Sequence, residues 1–291
     1  MCLLVVLSLG AGSTPRAWAQ QAEVPPPLPP QGPSPFLTRA VAQDVVALPT
    51  TASLERFASY FRLTHRFARD LRGSFVELAR SAFGLDDGAI IGFEYRFAPA
   101  DDLQIGAHRS LLFKTIQIFA RHDTVRQTER MPVGVSLLGS VEGTNNLRAQ
   151  YSQALGLVVS RTFGDRLAAY VSPVMVWNSQ MPVGVSGHEG HDHDVPGASD
   201  ADHPAEEERT FYAGVGGRLR LRPTVFLVGE IIPRAGFTPG AHQWAAGIEK
   251  RTDGHQFQLN VSNSFGTTNA QIARGGQPGN IRLGFNLARL F

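Results

Sequence analysis

The sequence predicts an all-β fold: a single antiparallel transmembrane β-barrel of about twelve strands, of the outer-membrane type. Three observations predict it. Apolar and polar residues alternate with a period of two in many segments of about ten residues. The N-terminus resembles an export signal. The connections between alternating segments are short at one end of the predicted barrel and mostly long at the other.

The alternation is clearest in the segment 256–265. Its apolar residues all fall on one face: Phe257, Leu259, Val261 and Phe265. The intervening residues are mostly glutamine, asparagine and serine, and a helix would mix the two sets because its side chains repeat every 3.6 residues. In a membrane barrel the apolar set faces lipid and the polar set lines the lumen. A soluble secreted β-sandwich, with the apolar set in its core, is the minor alternative.

Twelve such segments are predicted strands. Their approximate ranges are 58–68, 89–98, 102–110, 115–126, 133–142, 148–162, 166–178, 209–222, 224–234, 242–251, 256–266 and 280–291. An even number of strands suits a single-chain barrel with both termini in the periplasm. The connections after even-numbered strands are then periplasmic, and all are short. Those after strands one, seven, nine and eleven are long, whereas those after strands three and five are short.

The N-terminal region predicts export. Leu3 to Leu9 is a short apolar run, and Ala17-Trp18-Ala19 places small residues at the two positions that signal peptidase reads. No Lys or Arg precedes the run, which departs from the usual pattern. We therefore expect a signal peptide over residues 1–19, a Pro-rich periplasmic N-terminal segment over 20–52 and the barrel over 53–291. The tract Pro25 to Pro35 is typical of extended polyproline II.

Composition argues against several classes of protein. The 291 residues carry a formal net charge of +2, which is too balanced to indicate a nucleic-acid partner. No apolar stretch reaches the roughly 18 residues that a transmembrane helix needs. The only cysteine is Cys2, inside the predicted signal peptide. The exported chain would therefore carry no disulfide, no thiolate metal site and no cysteine nucleophile.

The chain ends on Phe291, behind the alternating apolar residues Phe285 and Leu287. Arg289 interrupts that alternation. The assembly machinery of the outer membrane reads a C-terminal strand that ends in an aromatic residue. We therefore expect Phe291 to act as an assembly signal, with the export and barrel-assembly machinery and outer-membrane lipid as partners.

Six short motifs carry a family resemblance. They are Leu48-Pro49-Thr50-Thr51, Thr64-His65-Arg66-Phe67, Phe83-Gly84-Leu85-Asp86, Ile105-Gly106, Arg109-Ser110 and Lys114-Thr115. Together they resemble an uncharacterised family of bacterial outer-membrane β-barrel proteins, known as a domain of unknown function, over the range 41–291. The resemblance implies a barrel in the outer envelope. It implies no established activity, so no functional residue is carried over.

The alternation also predicts which charged residues line the lumen. They are Arg62, Arg66, Glu94, Arg96, Arg218, Arg220, Arg222, Glu230, Glu249 and Arg282. Arginines outnumber carboxylates in this set, which favours a pore or binding barrel for a small anionic solute. The same residues suit an internal network of ion pairs that fills a narrow barrel and blocks it, because buried charges must be paired or hydrated. Open and plugged lumens are therefore both compatible with the sequence.

The segment 187–203 is rich in residues that bind metals. They are His188, His191, Asp192, His193, Asp194 and His203. Imidazole and carboxylate groups suit Zn, Ni, Cu or Mn, so a surface receptor or metal-scavenging protein is the alternative function. The surrounding Gly, Pro, Ser and Ala equally suit a solvated outside loop, which has no rigid groups to orient the ligands. Apart from weak divalent metal binding at this segment, the sequence predicts no cofactor.

The sequence predicts no catalytic constellation. Its histidines outside the His-rich segment are scattered over several strands and turns, and no serine stands in a Gly-x-Ser-x-Gly motif. We therefore expect a non-enzymatic protein of the bacterial outer membrane that passes or binds a small solute. Leu71 to Phe83 is predicted as a short amphipathic helix in the first outside connection.

Overall fold

The structure, a computed structural model, describes residues 42–80, 86–180, 209–236 and 240–291. Within these residues the chain forms thirteen strands, of which one has only two residues. They are β1 (Ser59–Phe67), β2 (Ala89–Ala100), β3 (Leu103–Ser110), β4 (Thr115–Val125), β5 (Gly134–Gly143), β6 (Ala149–Phe163), β7 (Leu167–Trp177), β8 (Arg209–Arg222), β9 (Val225–Ile232), β10 (Arg234–Ala235), β11 (Gln243–Arg251), β12 (His255–Ser262) and β13 (Arg282–Leu290). Short helices at Phe75–Arg80 and Asn269–Arg274 lie in the connections.

The strands form one closed antiparallel ring. Strands β1 to β9 pair in chain order, β11 pairs with β9, and β13 closes the ring by pairing with β1. In the closing pair, Arg66 lies opposite Gly284. The two-residue strand β10 pairs only with β8 and adds no member to the ring. The prediction of a closed antiparallel barrel of twelve strands is confirmed.

Most predicted strand ends lie within one or two residues of those observed. The largest difference is in β12, which ends at Ser262, so the prediction that Phe265 belongs to its apolar face was wrong. The side chain of Asn263 ends the pairing with β11. Its Oδ1 accepts the Trp244 N–H at 2.8 Å and its Nδ2 donates to the His242 carbonyl at 2.9 Å.

The two faces of the barrel wall differ sharply in polarity. In β12, Leu259 is 58% exposed, whereas its neighbour Asn260 is 2% exposed. Large apolar side chains are exposed on the same outward face around the ring: Phe93, Ile118, Leu155, Val171, Val215, Leu227, Ile248 and Phe257. Because the inward face is polar and the outward face is apolar, the wall is suited to lipid outside.

The connection between β1 and β2 contains the helix Phe75–Arg80, which lies within the predicted range Leu71 to Phe83. Ser74 and Glu77 cap its start reciprocally. The Ser74 N–H donates to the Glu77 carboxylate at 3.1 Å, and the Glu77 N–H donates to the Ser74 hydroxyl at 3.3 Å. The bonds from Ser74 hold the pKa of Glu77 below its usual range. No helix among the described residues is long and apolar enough to cross a membrane.

Residues 42–54, here called the inner segment, form a hairpin inside the barrel. The Val45 N–H donates to the Leu48 carbonyl at 2.8 Å, and the Thr50 N–H donates to the Gln43 carbonyl at 2.9 Å. The turn at 45–48 is the tip of this hairpin. The chain then leads through residues 55–58 to the start of β1, which is the predicted periplasmic end of the barrel.

The position of the inner segment differs from the predicted division between the N-terminal segment and the barrel. Residues 42–52 lie in the lumen, although the sequence assigns them to a periplasmic segment outside it. The physical reason is the apolar content of the tip. Val45, Val46 and Leu48 pack against buried wall residues such as Val174 and Phe226. The predicted signal peptide and the Pro-rich tract lie outside the described residues.

Candidate functional site

The lumen contains eight of the ten charged residues that the alternation assigns to it. The buried residues, each at most 8% exposed, are Arg62, Arg66, Glu94, Arg96, Arg218, Glu230, Glu249 and Arg282. Arg220 is half-buried and pairs with Asp165 at 3.0 Å in the turn between β6 and β7, and Arg222 is exposed. The register between β8 and β9 shifts between these two arginines, so the alternation of the strand does not extend to Arg222.

The structure adds further buried charged or titratable residues to the lumen. They are Asp44, His108, Arg121, Asp123, Glu142 and Arg251. All except Asp44 lie on inward positions of predicted strands, so extending the alternation through β3, β4, β5 and β11 would have found them. The alternation could not have found Asp44, because it belongs to the inner segment and not to a strand.

The first network of charges joins the inner segment to β1 and β2. Asp44 Oδ2 lies 3.0 Å from Arg62 Nη1 and 2.9 Å from Arg96 Nη2. Both arginines also contact Glu94, with Arg62 Nη2 at 2.5 Å from its Oε2. Asp44 therefore lies between two arginines of the wall.

The same network continues toward the opposite end of the barrel. His108 Nδ1 lies 3.3 Å from Glu94 Oε2. His108 Nε2 lies 3.3 Å from the Thr267 hydroxyl, which belongs to the connection between β12 and β13. Contiguous polar contacts thus link the inner segment to this connection through Glu94.

The second network surrounds Glu249, which has no exposed surface. Arg218 donates to both of its carboxylate oxygens at 3.1 Å, and Arg251 Nε donates to Oε1 at 2.5 Å. Gln256 and Gln258 donate to Oε2 at 2.8 and 3.1 Å. Since a carboxylate has only acceptors, these donors satisfy it in full.

Arg218 also connects the second network to the inner segment. Its Nη2 donates to the Asp44 carbonyl at 2.8 Å, and its Nη1 donates to the Tyr170 hydroxyl at 3.0 Å. The hairpin therefore contacts both networks, one through the side chain of Asp44 and the other through its backbone.

Glu230 binds the tip of the inner segment through backbone N–H groups. Its carboxylate accepts the N–H of Val46 at 2.9 Å, of Ala47 at 3.0 Å and of Leu48 at 3.0 Å. Successive N–H groups that converge in a turn form a concave site for an anion. Here that anion is a carboxylate of β9, so the wall binds the tip of the hairpin directly.

The remaining contacts of the inner segment are also mainly with its backbone. Arg121 donates to the carbonyls of Thr50, at 2.7 Å, and Ala52. Leu48 packs directly against two glycines of β8. The substitution Gly214→Ala would make its new Cβ clash with Leu48 Cδ1, and Gly216→Ala would place its Cβ 3.2 Å from Leu48 Cδ2. These glycines leave room on the wall for the apolar tip.

Residues 263–281, here called the outer loop, also enter the lumen, and Asn269 to Ala273 in its short helix are buried. Glu142 accepts the Thr268 hydroxyl at 2.8 Å and the Ala270 N–H at 3.1 Å. Asn269 bonds to Tyr212 at 2.9 Å and to Ser140 at 2.7 Å. The long connection predicted after strand eleven therefore folds inward.

The inner segment and the outer loop fill the barrel from its two ends. The charged residues between them are buried and mostly paired with one another or with the inserted backbone. The described residues thus contain the ion-pair network that the sequence offered as one of two alternatives. Removing either inserted element would leave buried charges that need water.

The predicted metal ligands lie outside the described residues. Among the residues that are described, no group of three or more His, Cys, Asp or Glu side chains is placed to hold a metal ion. Metal binding by His188, His191, Asp192, His193, Asp194 and His203 stays a prediction.

The chain is similar to several solved structures of outer-membrane proteins. The COG4313 outer membrane channel from Pseudomonas putida F1 is 12% identical, with a TM-score of 0.51 over 82% of this chain and 97% of that chain. The KdgM porin, in complex with disordered oligogalacturonate, is 7% identical, with a TM-score of 0.48 over 80% and 99%. Omp33 from Acinetobacter baumannii is 10% identical, with a TM-score of 0.43 over 81% and 98%. The chain matches no curated protein.

The comparison with protein families is more specific. The model of the membrane-bound β-barrel domain DUF5777 matches residues 41–291, so it covers the whole barrel and the inner segment. It confirms the resemblance noted from the six motifs. The protein is an outer-membrane β-barrel. The chain belongs to the family of the membrane-bound β-barrel domain of unknown function DUF5777.

Proposed function

We propose that the protein is a gated channel of the bacterial outer membrane for a small anionic solute, and that the inner segment is its gate. The described structure is then the closed form. The observation that carries this proposal is the hairpin 42–54 inside the lumen, held by Glu230 through three backbone N–H groups.

The polarity of the wall favours a gate over a permanent plug. A barrel that only needed filling could use apolar side chains, because replacing buried ion pairs with apolar residues of similar size is often neutral or stabilising. This wall instead directs guanidinium and carboxylate groups at the inserted hairpin. When the hairpin leaves, the same groups become a lining that water and ions can wet.

The balance of buried charge on the wall favours anions. Seven buried arginines lie on the strands: Arg62, Arg66, Arg96, Arg121, Arg218, Arg251 and Arg282. Five buried carboxylates lie on the same strands: Glu94, Asp123, Glu142, Glu230 and Glu249. A sixth carboxylate, Asp44, belongs to the inner segment and leaves with it. The opened lumen would therefore carry an excess of positive charge.

Two deletions test the gate. The chain that begins at residue 20 is expected to be mostly closed in planar lipid bilayers. Deleting residues 20–52 should give a persistent conductance, with a reversal potential in a salt gradient that shows preference for anions. Deleting residues 20–41 is the matched control, because it shortens the N-terminus but leaves the described hairpin, and it should stay closed. If the protein that lacks residues 20–52 folds but gives no conductance, the proposal that it is a channel is refuted.

The alternative, a surface receptor or metal-scavenging protein, rests on the composition of residues 187–203. It predicts that isothermal titration of the detergent-solubilised protein with zinc gives a binding isotherm that deletion of 187–203 abolishes. Unchanged zinc affinity after the deletion would exclude this loop as the ligand. The deletion leaves the hairpin and the lumen intact, so the closed state should not change.

A further inference from the structure

Asp44 is the only charged residue of the inner segment, and it lies between two arginines of the wall. Its Oδ2 lies 3.0 Å from Arg62 Nη1, while Arg96 Nη2 donates to its Oδ1 at 3.1 Å and to its Oδ2 at 2.9 Å. The two guanidinium groups therefore converge on one carboxylate. All three side chains are buried, so water and salt screen their charges little.

The wall holds both guanidinium groups without help from the hairpin. Arg62 lies opposite Glu94 in the register of β1 and β2 and donates to its Oε2 at 2.5 Å, and Arg96 Nε donates to Oε1 of the same carboxylate. The guanidinium of Arg96 also lies 5.7 Å from the ring centroid of Tyr60 and 5.1 Å from that of Phe119. Because all these partners belong to strands, we expect the two arginines to keep their positions when the hairpin leaves.

The charge of the pair exceeds what the wall neutralises. Two guanidinium groups share the single carboxylate of Glu94, so the site has a net positive charge once Asp44 has left. His108, which also contacts Glu94, contributes no negative charge. Asp123 is paired with Arg121 at 3.4 Å and accepts two serine hydroxyls. A buried positive charge of this kind needs an anion or water.

The hairpin satisfies Arg62 only in part. Its Nη1 lies close to Asp44 Oδ2, but the two groups are not aligned for a hydrogen bond. Nη1 and Nε have no hydrogen-bond partner among the residues that the structure describes, although the side chain is only 3% exposed. A carboxylate that is attached to the hairpin cannot turn to accept these N–H groups, whereas a carboxylate on a free solute can.

We infer that Arg62 and Arg96 form the binding site for the carboxylate group of a small anionic solute, and that Asp44 occupies this site in the closed form in place of the solute. Solute and hairpin then compete for the same two guanidinium groups. A solute that binds only when the hairpin is displaced shifts the equilibrium toward the open form. The inference rests on the proposed function, because it assigns the anion site of that channel and the event that opens it.

Malonate, a small dicarboxylate, is the probe, and its neutral diamide malonamide is the matched control. Isothermal titration calorimetry measures their binding to the full chain carrying Glu230→Ala, whose hairpin is released, in detergent. Malonate should bind with saturation and malonamide should not bind. The unaltered chain should bind malonate about tenfold more weakly or less, because its site is accessible only in the minor open form.

Substitutions in the Glu230→Ala chain assign the binding to the two arginines. Arg62→Gln and Arg96→Gln, introduced separately, should each weaken malonate binding by about tenfold or more, since hydrogen bonds between charged groups are lost. Arg96→Lys retains the charge but loses the planar fork, so its affinity should be intermediate. Arg161→Gln removes the same charge from the outward face of β6 and should leave the affinity unchanged. Heat-modifiable mobility on a denaturing gel establishes that each variant is folded.

Asp44→Ala tests whether the hairpin carboxylate competes with the solute. Introduced into the unaltered chain, it should raise the malonate affinity by about tenfold or more, because a tethered competitor is present at a high effective concentration. Ser53→Ala is the matched control, since it removes a hydrogen bond of the hairpin to Asp123 but keeps the competing carboxylate. It should change the affinity much less. An equal malonate affinity of Asp44→Ala and the unaltered chain would overturn the competition.

The calorimetry does not depend on conductance, so the site and the channel are tested separately. If the Glu230→Ala chain conducts but binds no malonate, or binds it equally with Arg62→Gln and Arg96→Gln, the site is overturned and the channel stands. If that chain folds without conducting, while malonate binding still depends on both arginines, the channel is excluded and the carboxylate site stands.

Discussion

Replacing Glu230 with alanine is expected to convert a barrel that is mostly closed into one that conducts most of the time. The substitution removes the acceptor of three N–H groups at the hairpin tip. Each hydrogen bond to a charged group contributes about 1.5–3 kcal/mol, so a loss on the order of 3 kcal/mol shifts the equilibrium between closed and open forms roughly a hundredfold. In the open form, water satisfies the freed N–H groups.

Single-channel recording in planar bilayers measures this effect as the open probability. Glu129→Ala is the matched control, because it removes the same charge from an exposed position in the connection between β4 and β5. It should leave the open probability unchanged. If Glu230→Ala folds normally and stays as closed as the unaltered chain, the carboxylate is not what holds the hairpin in place.

The largest effect on stability is expected for Glu249→Ala. Glu249 is completely buried and accepts bonds from Arg218, Arg251 and two glutamines. Removing it leaves two guanidinium groups buried without their shared carboxylate. Breaking a buried ion pair from one side typically costs about 3–5 kcal/mol. We expect a loss of that size in the free energy of unfolding.

Guanidinium-induced unfolding of the protein in lipid vesicles measures this loss of free energy. The folded fraction is monitored by its heat-modifiable mobility on a denaturing gel. The variant Glu249→Leu, Arg218→Met, Arg251→Leu removes all three charges together and should recover most of the stability, because no charge is then left unpaired. A loss below about 1 kcal/mol for Glu249→Ala would mean that water reaches the two arginines and that this part of the lumen is not dry.

The barrel could be predicted because its wall is encoded locally. In β12 each residue alternates between lipid and lumen, so Leu259 and Asn260 could be assigned to opposite faces from the sequence alone. The same alternation identified Arg62, Glu94 and Glu249 as lumen residues. It failed at Arg222, where a shift in register that the sequence does not show ends the regular pairing of β8 with β9.

The inner segment could not be predicted because its conformation depends on distant residues. Its tip is held by Glu230, more than 180 positions along the chain. Residues 42–54 have neither the alternation of a strand nor the period of a helix. The outer loop also folds into the lumen through contacts between distant residues, since Glu142 lies 126 residues before its partner Thr268.

A reversible lock on the hairpin tests most directly whether it is the gate. A Cβ at Gly214 would lie 3.3 Å from Leu48 Cγ, the atom that sulfur replaces in Leu48→Cys, so Leu48→Cys with Gly214→Cys places two thiols within disulfide reach. The only natural cysteine, Cys2, lies in the predicted signal peptide. The pair is introduced into the conducting Glu230→Ala chain, and conductance is recorded before and after reduction.

The oxidised protein is expected to be closed, and reduction should restore the conductance of Glu230→Ala. The Glu230→Ala chain without the cysteine pair should conduct equally under both conditions. Equal conductance of the oxidised and reduced cysteine variant, with the disulfide verified by mass, would show that ions pass while the hairpin tip is fixed to the wall, and would contradict the assignment of residues 42–54 as the gate.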